Sequence, residues 1–294
     1  MSLPFAVKSI FLQDISSTTF NFIDDLKIAS DISDVHTTQI NLEVYWVQDD
    51  RFSRLLSWLF TKCTSLSKIS LSIANASRQQ HYPLSIDKTG LKSIQLHQWN
   101  YSHTWVNEIL EKSLDTLESV ELQKCGDVSL RSITNSKVIK SIKIMRQESQ
   151  KEFVKENERI IKTFTNLECA EGCYETSLII EKNQSAFLKL KRLTIHLNSQ
   201  KINFSWLYQP TPFSLSFISI DGLDVRRYFK VNQSERVEVQ TTVDNLEEAK
   251  ELMQEYPKTK FNFKMKYSST YDLIGAVDSL NRKVYQAQYK CIVM

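Results

Sequence analysis

Apolar residues along this chain recur in one spacing, apolar-x-x-apolar-x-apolar. It reads Leu66, Ile69, Leu71, then Leu91, Ile94, Leu96, then Leu117, Val120, Leu122. It continues as Ile139, Ile142, Ile144, then Leu190, Leu193, Ile195, then Leu215, Ile218, Ile220. Successive first positions are 25, 26, 22, 51 and 25 residues apart, and a degenerate copy at Leu167, Ala170 and Gly172 divides the 51 into 28 and 23. Weaker copies stand at Ile40, Leu42 and Val44, at Val237/Val239 and at Phe261/Phe263. The last two apolar positions of each copy flank a variable one, which is the period of a strand with one buried face. Between copies the period changes. Phe52, Leu55, Leu56 and Leu59 fall on one helix face after Asp49-Asp50, and Val106, Ile109, Leu110 and Leu114 do so after Ser102 or Thr104. The segments Glu152 to Phe164 and Leu246 to Tyr256 behave likewise. In the latter, Asp244 is the expected cap, Leu246, Ala249, Met253 and Tyr256 form the expected stripe, and Pro257 ends the helix.

Strand then helix, about every 25 residues, predicts an α/β solenoid with a parallel sheet on its concave face and helices on its convex face. The alternative is a compact α/β domain whose strands are evenly spaced. Doubly wound sheets of that kind carry glycines in their strand-to-helix turns, and this chain has five glycines, no two closer than 36 positions. A further marked position follows several copies by three residues: Trp99, Cys125, Gln147, Asn198 and Leu223. With it, Leu117-x-x-Val120-x-Leu122-x-x-Cys125 and Leu190-x-x-Leu193-x-Ile195-x-x-Asn198 resemble the leucine-rich repeat, LxxLxLxx(N/C)xL, of ribonuclease-inhibitor-like and related proteins. The resemblance spans roughly residues 37 to 265 and implies a short strand in the middle of each unit. It also implies an Asn or Cys side chain turned inward to bond the backbone where the strand ends. Trp99, Gln147 and Leu223 depart from the Asn/Cys position, so those turns must be held in another way and the coil is irregular. The expected organisation is an N-terminal cap at 1–36, the repeat array at 37–265, a capping helix and spacer at 266–290 and a terminal tetrapeptide at 291–294. Leu273, Val277, Leu280 and Val284 supply the stripe of that last helix.

Composition narrows the function. With 41% hydrophobic and 24% charged residues the chain can bury a large core. Its few, scattered glycines exclude GxGxxG, a P-loop and a GxSxG elbow, each of which needs several positions free of a Cβ within one turn. The net charge is +3, from 37 basic and 34 acidic residues, and no nucleic-acid partner is expected from it. The charge is unevenly placed. From Lys258 to Met294 seven basic residues face two acidic ones, a local charge of +5. Such an end suits an anionic surface, with a solvated lysine face as the plainer reading. The five cysteines (Cys63, Cys125, Cys169, Cys173, Cys291) are odd in number and spread out. Lys8 interrupts the apolar start after seven residues and no run approaches the ~20 apolar residues of a membrane span. A cytoplasmic chain with reduced thiols is therefore expected. Cys169-x-x-x-Cys173 has no second Cys/His pair at ligand spacing, so neither metal nor cofactor is expected.

A solenoid of this kind recognises a partner through the residues between its buried strand positions, here Gln95, Glu121, Lys143, Thr194 and His196, together with Ser70, Ser72 and Ser219. Catalysis is not expected, because no nucleophile, base and orienter are brought together by the sequence. The last four residues, Cys291-Ile292-Val293-Met294, resemble a CaaX prenylation box of the farnesylated class. In such a box the Cys291 thiolate takes the lipid while Ile292, Val293 and Met294 are read by the transferase. One prenyl chain holds a membrane only marginally, so Arg282, Lys283 and Lys290 are the expected second signal toward an anionic leaflet. The expectation is a farnesylated protein-interaction scaffold, peripheral on the cytosolic face of a membrane. A leucine-rich array ending in a CaaX box also resembles some F-box substrate receptors of cullin ubiquitin ligases. Leu3-Pro4, Val7 and Ile10-Phe11 echo the opening of an F-box, although the rest of that three-helix module is not evident. An unrelated enzyme is the third reading.

Overall fold

The computed structural model describes residues 9–15, 38–47, 51–76, 84, 86, 89–97, 104–125, 130–145, 158–196, 204–232 and 237–265. The chain divides into two compact units, 1–167 and 168–294, and the division falls inside the span that the sequence reads as one array.

The first unit contains β1 (Ser9–Ile15), β2 (Gln39–Val47), α1 (Arg51–Lys62), β3 (Lys68–Ala76), β4 (Ser93–His97), α2 (Thr104–Lys112), β5 (Ser119–Gln123) and β6 (Ser141–Met145). Its strands pair in sequence order and in parallel, β1 with β2 through to β5 with β6. The second unit contains β7 (Cys169–Gly172), α3 (Tyr174–Lys182), β8 (Arg192–Ile195), β9 (Phe217–Ile220), α4 (Val225–Val231), β10 (Glu238–Val243), α5 (Leu246–Glu255) and β11 (Lys260–Met265). There too each strand pairs in parallel with the next. Both units are α/β with parallel sheets, as expected.

The repeated apolar positions explain the register. Ile40, Ile69, Ile94, Val120 and Ile142 stand opposite one another across five strands, as do Leu42, Leu71, Leu96, Leu122 and Ile144, and all ten are buried. In the second unit Ala170, Leu193, Ile218, Val239 and Phe261 form the equivalent buried row. The leading residues Leu66, Leu91, Leu117 and Ile139, and Leu167, Leu190 and Leu215, are buried as well. A one-residue slip would turn every one of these rows to solvent, so burial fixes the pairing. Helices complete the core through Leu55, Leu56 and Leu59 of α1, Val106, Ile109 and Leu110 of α2, and Val225, Tyr228 and Phe229 of α4.

A second device sets the height at which each strand begins. The carbonyl of Thr38 accepts from the N–H groups of both Ser67 and Lys68, that of Ser67 from Lys92 and Ser93, that of Lys92 from Glu118 and Ser119, and that of Glu118 from Lys140 and Ser141. In the second unit Glu168 O receives Lys191 and Arg192, and Lys191 O receives Ser216 and Phe217, at 2.8 to 3.1 Å. One carbonyl thus orients the start of the following strand. Beside these starts Lys140 Nζ lies 2.7 Å from Glu118 Oε2. The hydrogen bond from Lys140, helped by the charges of Lys140 and Lys92 against a small burial cost, holds the Glu118 carboxyl below its ordinary range.

Turns solve the shortage of glycine in two ways. Gly222 takes φ 73° between β9 and α4, where a Cβ would meet nothing within 4 Å, so the backbone conformation is what favours glycine there. Lys124 and Asn135 adopt the same left-handed region with side chains, at φ 55° and 64°.

Several local expectations change. The α5 cap is Asn245, whose side chain accepts from Glu248 N at 2.9 Å, while Glu248 Oε2 accepts from Asp244 N at 2.8 Å. Both residue types cap well, and the adjacent one took the position. The buried stripe of α5 runs through Ala249 and Leu252, not Met253, which is half-buried. Within the segment Glu152 to Phe164 the described part is helical at 158–161. Ile10 and Phe11, read above as an F-box echo, belong to strand β1 and pair with Ile40 and Asn41, not to a helix. Residues Leu3, Pro4, Val7, Trp99, Gln147 and Asn198, and everything after Met265, lie outside the described residues. This includes the stripe of Leu273, Val277, Leu280 and Val284.

Candidate functional site

The residues between the buried rows of the strands form the candidate surface. In the first unit these positions are short or polar, with the exception of Met145. One row, Asn41, Ser70, Gln95, Glu121 and Lys143, runs in register across five strands. A second, Ser72, His97, Gln123 and Met145, runs beside it, and Ser93, Ser119 and Ser141 stand at the strand starts. Neighbouring strands lie about 4.8 Å apart, so long side chains in register meet.

Glu121 is where they meet most closely. Its Oε2 accepts from Gln95 Nε2 at 2.8 Å, and its Oε1 accepts from Gln123 Nε2. Lys143 Nζ lies 3.3 Å from Oε1, with side-chain exposures of 14% for Glu121 and 29% for Lys143. The carboxylate is oriented from β4, β5 and β6 at once. On the neighbouring strand, opposite Gln123, His97 Nε2 is buried and has no hydrogen-bond partner among the described residues. At the end of β5 the buried Cys125 thiol donates to Leu96 O at 3.1 Å and Gln123 O at 3.3 Å, tying the turn to the strand before it.

In the second unit the corresponding row is Glu171, Thr194, Ser219, Gln240 and Asn262. His196 Nε2 lies 3.0 Å from Glu171 Oε1. Arg192 stacks its guanidinium 4.1 Å above the Phe217 ring. Ser219, read as exposed, is buried at 8% exposure.

The five sequence-derived candidates therefore fall into two groups. Gln95, Glu121 and Lys143 form one connected network in the first unit. Thr194 and His196 lie in the second, where His196 pairs with Glu171. Sequence reasoning missed Gln123, although it stands two residues after Glu121 and hence on the same strand face. It also missed Glu171, which sits in the degenerate copy where Ala170 and Gly172 replace large apolar residues. The tail candidates Arg282, Lys283, Lys290, Cys291, Ile292, Val293 and Met294 lie outside the described residues.

Among the described residues no group of three or more His, Cys, Asp or Glu side chains is placed to hold a metal ion. Cys173 instead donates its thiol to Glu175 Oε2 at 2.8 Å. No helix among them is long and apolar enough to cross a membrane. The sequence matches no protein-family model and no curated protein.

Proposed function

We propose that the chain is a non-enzymatic protein-protein interaction scaffold, an α/β solenoid of leucine-rich-repeat type that receives a protein partner on its strand face. One observation carries this reading. The repeated apolar positions are buried in register on consecutive parallel strands, while the positions between them stand in rows of polar side chains. Stacked repeats bury one face against their neighbours and leave the other without a structural task. The inward Cys125 thiol, bonded to backbone carbonyls on two strands, adds support from the position that the repeat motif marks.

Where Met294 is the last residue of the mature chain, Cys291 is the farnesylation site and Arg282, Lys283 and Lys290 add electrostatic attraction to an anionic leaflet. This part of the reading is supported by the sequence alone.

Steric blocking tests the surface. Ser70→Trp in the first unit and Thr194→Trp in the second place bulk on the rows without removing a charge. A partner identified by proximity labelling of the wild type is expected to be lost from the double variant, at a nearly unchanged melting temperature. Retention in that variant, with loss on changing Tyr208 on the turn Ser205–Tyr208, would move the site off the strands.

A further inference from the structure

The geometry points to an arginine side chain as the partner's anchor, received by Glu121 together with the amide oxygens of Gln95 and Gln123. This deepens the recognition reading above and rests on it. An ionised carboxylate only accepts, with about four lone-pair sites on its two oxygens. Oε1 of Glu121 is taken by Gln123 Nε2 and Lys143 Nζ, and Oε2 by Gln95 Nε2. One site on Oε2 remains. Because Glu121 cannot donate, both glutamines must turn their nitrogens toward it, and their oxygens are left on the other side of each amide. Among the described residues neither oxygen accepts a hydrogen bond.

What the β4–β5 part of the face offers a visitor is therefore three acceptors around one carboxylate. A guanidinium matches this pattern, since its five N–H groups lie in a plane and reach acceptors on more than one side. An ammonium offers three donors from a single atom, and a visiting carboxylate would meet acceptors only. The contact from Lys143, at 3.3 Å, is longer than the roughly 2.7–2.9 Å of a strong charged hydrogen bond. It is the contact that an arriving guanidinium displaces, while the two amides stay in place. Exposure of only 14% for the Glu121 side chain keeps competing water away, which strengthens charge-assisted bonds to it.

The test uses the full chain and nonapeptides with randomised flanks around a central Arg, Lys, citrulline or Glu. Arg-centred peptides are expected to bind at least about tenfold more tightly than citrulline- or Lys-centred ones, the scale of a charged hydrogen bond. Glu121→Gln and Gln123→Leu are each expected to reduce that preference severalfold or more, with melting temperatures recorded to exclude unfolding. Equal binding of the four peptide sets, or an arginine preference that survives both substitutions, overturns the inference. If binding is independent of arginine yet lost in Ser70→Trp, the anchor is wrong and the recognition face stands. If none of the three substitutions alters binding, both fall.

Discussion

Tyr228 carries the most direct response of a single side chain to its surroundings. Only 2% exposed on α4 and edge-on to Phe229 at 5.4 Å, it has its phenol pushed up to about 12 by burial. In the unfolded chain the same group ionises near pH 10. Between those values the unfolded state has released a proton that the folded state keeps, so stability falls as pH rises. The stabilisation is complete below about pH 10 and is lost as pH rises through about 12. Wild type is expected to lose up to ~2–3 kcal/mol more than Tyr228→Phe across that interval, read from urea midpoints, and parallel curves would remove the account. Residues of this kind are legible in a sequence only in part. Alternation along a strand placed Gln95, Glu121 and Lys143 on one face, because a period of two assigns faces without knowledge of neighbours. The same period reaches Gln123, two residues after Glu121 on one strand, whereas the meeting of Gln95 and Lys143 at that carboxylate depends on which strands lie side by side, which alternation does not give. Glu171 escaped because the small residues around it hide the pattern that marks a strand.

Elements were legible where burial imposes a clear period and illegible where polar groups are buried instead. The helices α1 and α2 follow apolar stripes, although α1 also buries Ser53, and Leu114, expected in the second stripe, falls beyond the end of α2 and is half-buried. In contrast, α3 buries Thr176 and Ser177 beside Ile179 and Ile180, and Ser177 Oγ accepts from the buried Trp206 indole at 3.3 Å. A hydroxyl satisfied in that way is at home in a core but reads as surface in a sequence. Strand β1 is ambiguous in sequence for a different reason: Val7-x-x-Ile10-x-Leu12 carries the repeat spacing, while Ile10-Phe11 within it also resembles the opening of an F-box. Helix ends are decided at still finer grain, as Asp244 and Asn245 show. Asn245→Ala deletes the bond accepted from Glu248 N and is expected to lower the unfolding free energy by about 1 kcal/mol. A denaturant midpoint equal to that of wild type would place the cap elsewhere.

At the level of the molecule, the proposed attachment and the proposed recognition are separable by mutation, since the residues proposed for the first follow β11 in sequence. Cys291→Ser is expected to abolish incorporation of a farnesyl analogue in a eukaryotic host and to release the chain to the cytosol. Changing Arg282, Lys283 and Lys290 to Gln is expected to preserve labelling while making membrane attachment weaker and less sensitive to salt, because basic clusters act within about 10 Å of an anionic surface. Wild-type protein that incorporates no isoprenoid would refute the anchor. The shared carbonyls at the strand starts reach further than either property. Six starts are pinned in this way by the start before them, so the connection between them need only return, whatever its length, and the spacings from carbonyl to first donor vary from 22 to 29 residues. Lengthening a flexible connection costs little, about 0.6 kcal/mol per doubling. Removing one residue between Lys92 and Leu96 would instead exchange the inner and outer faces of a strand. Variation in length among descendants of this sequence is thus free to accumulate between a strand's end and the next pinned start, while the few positions after each shared carbonyl keep a constant count.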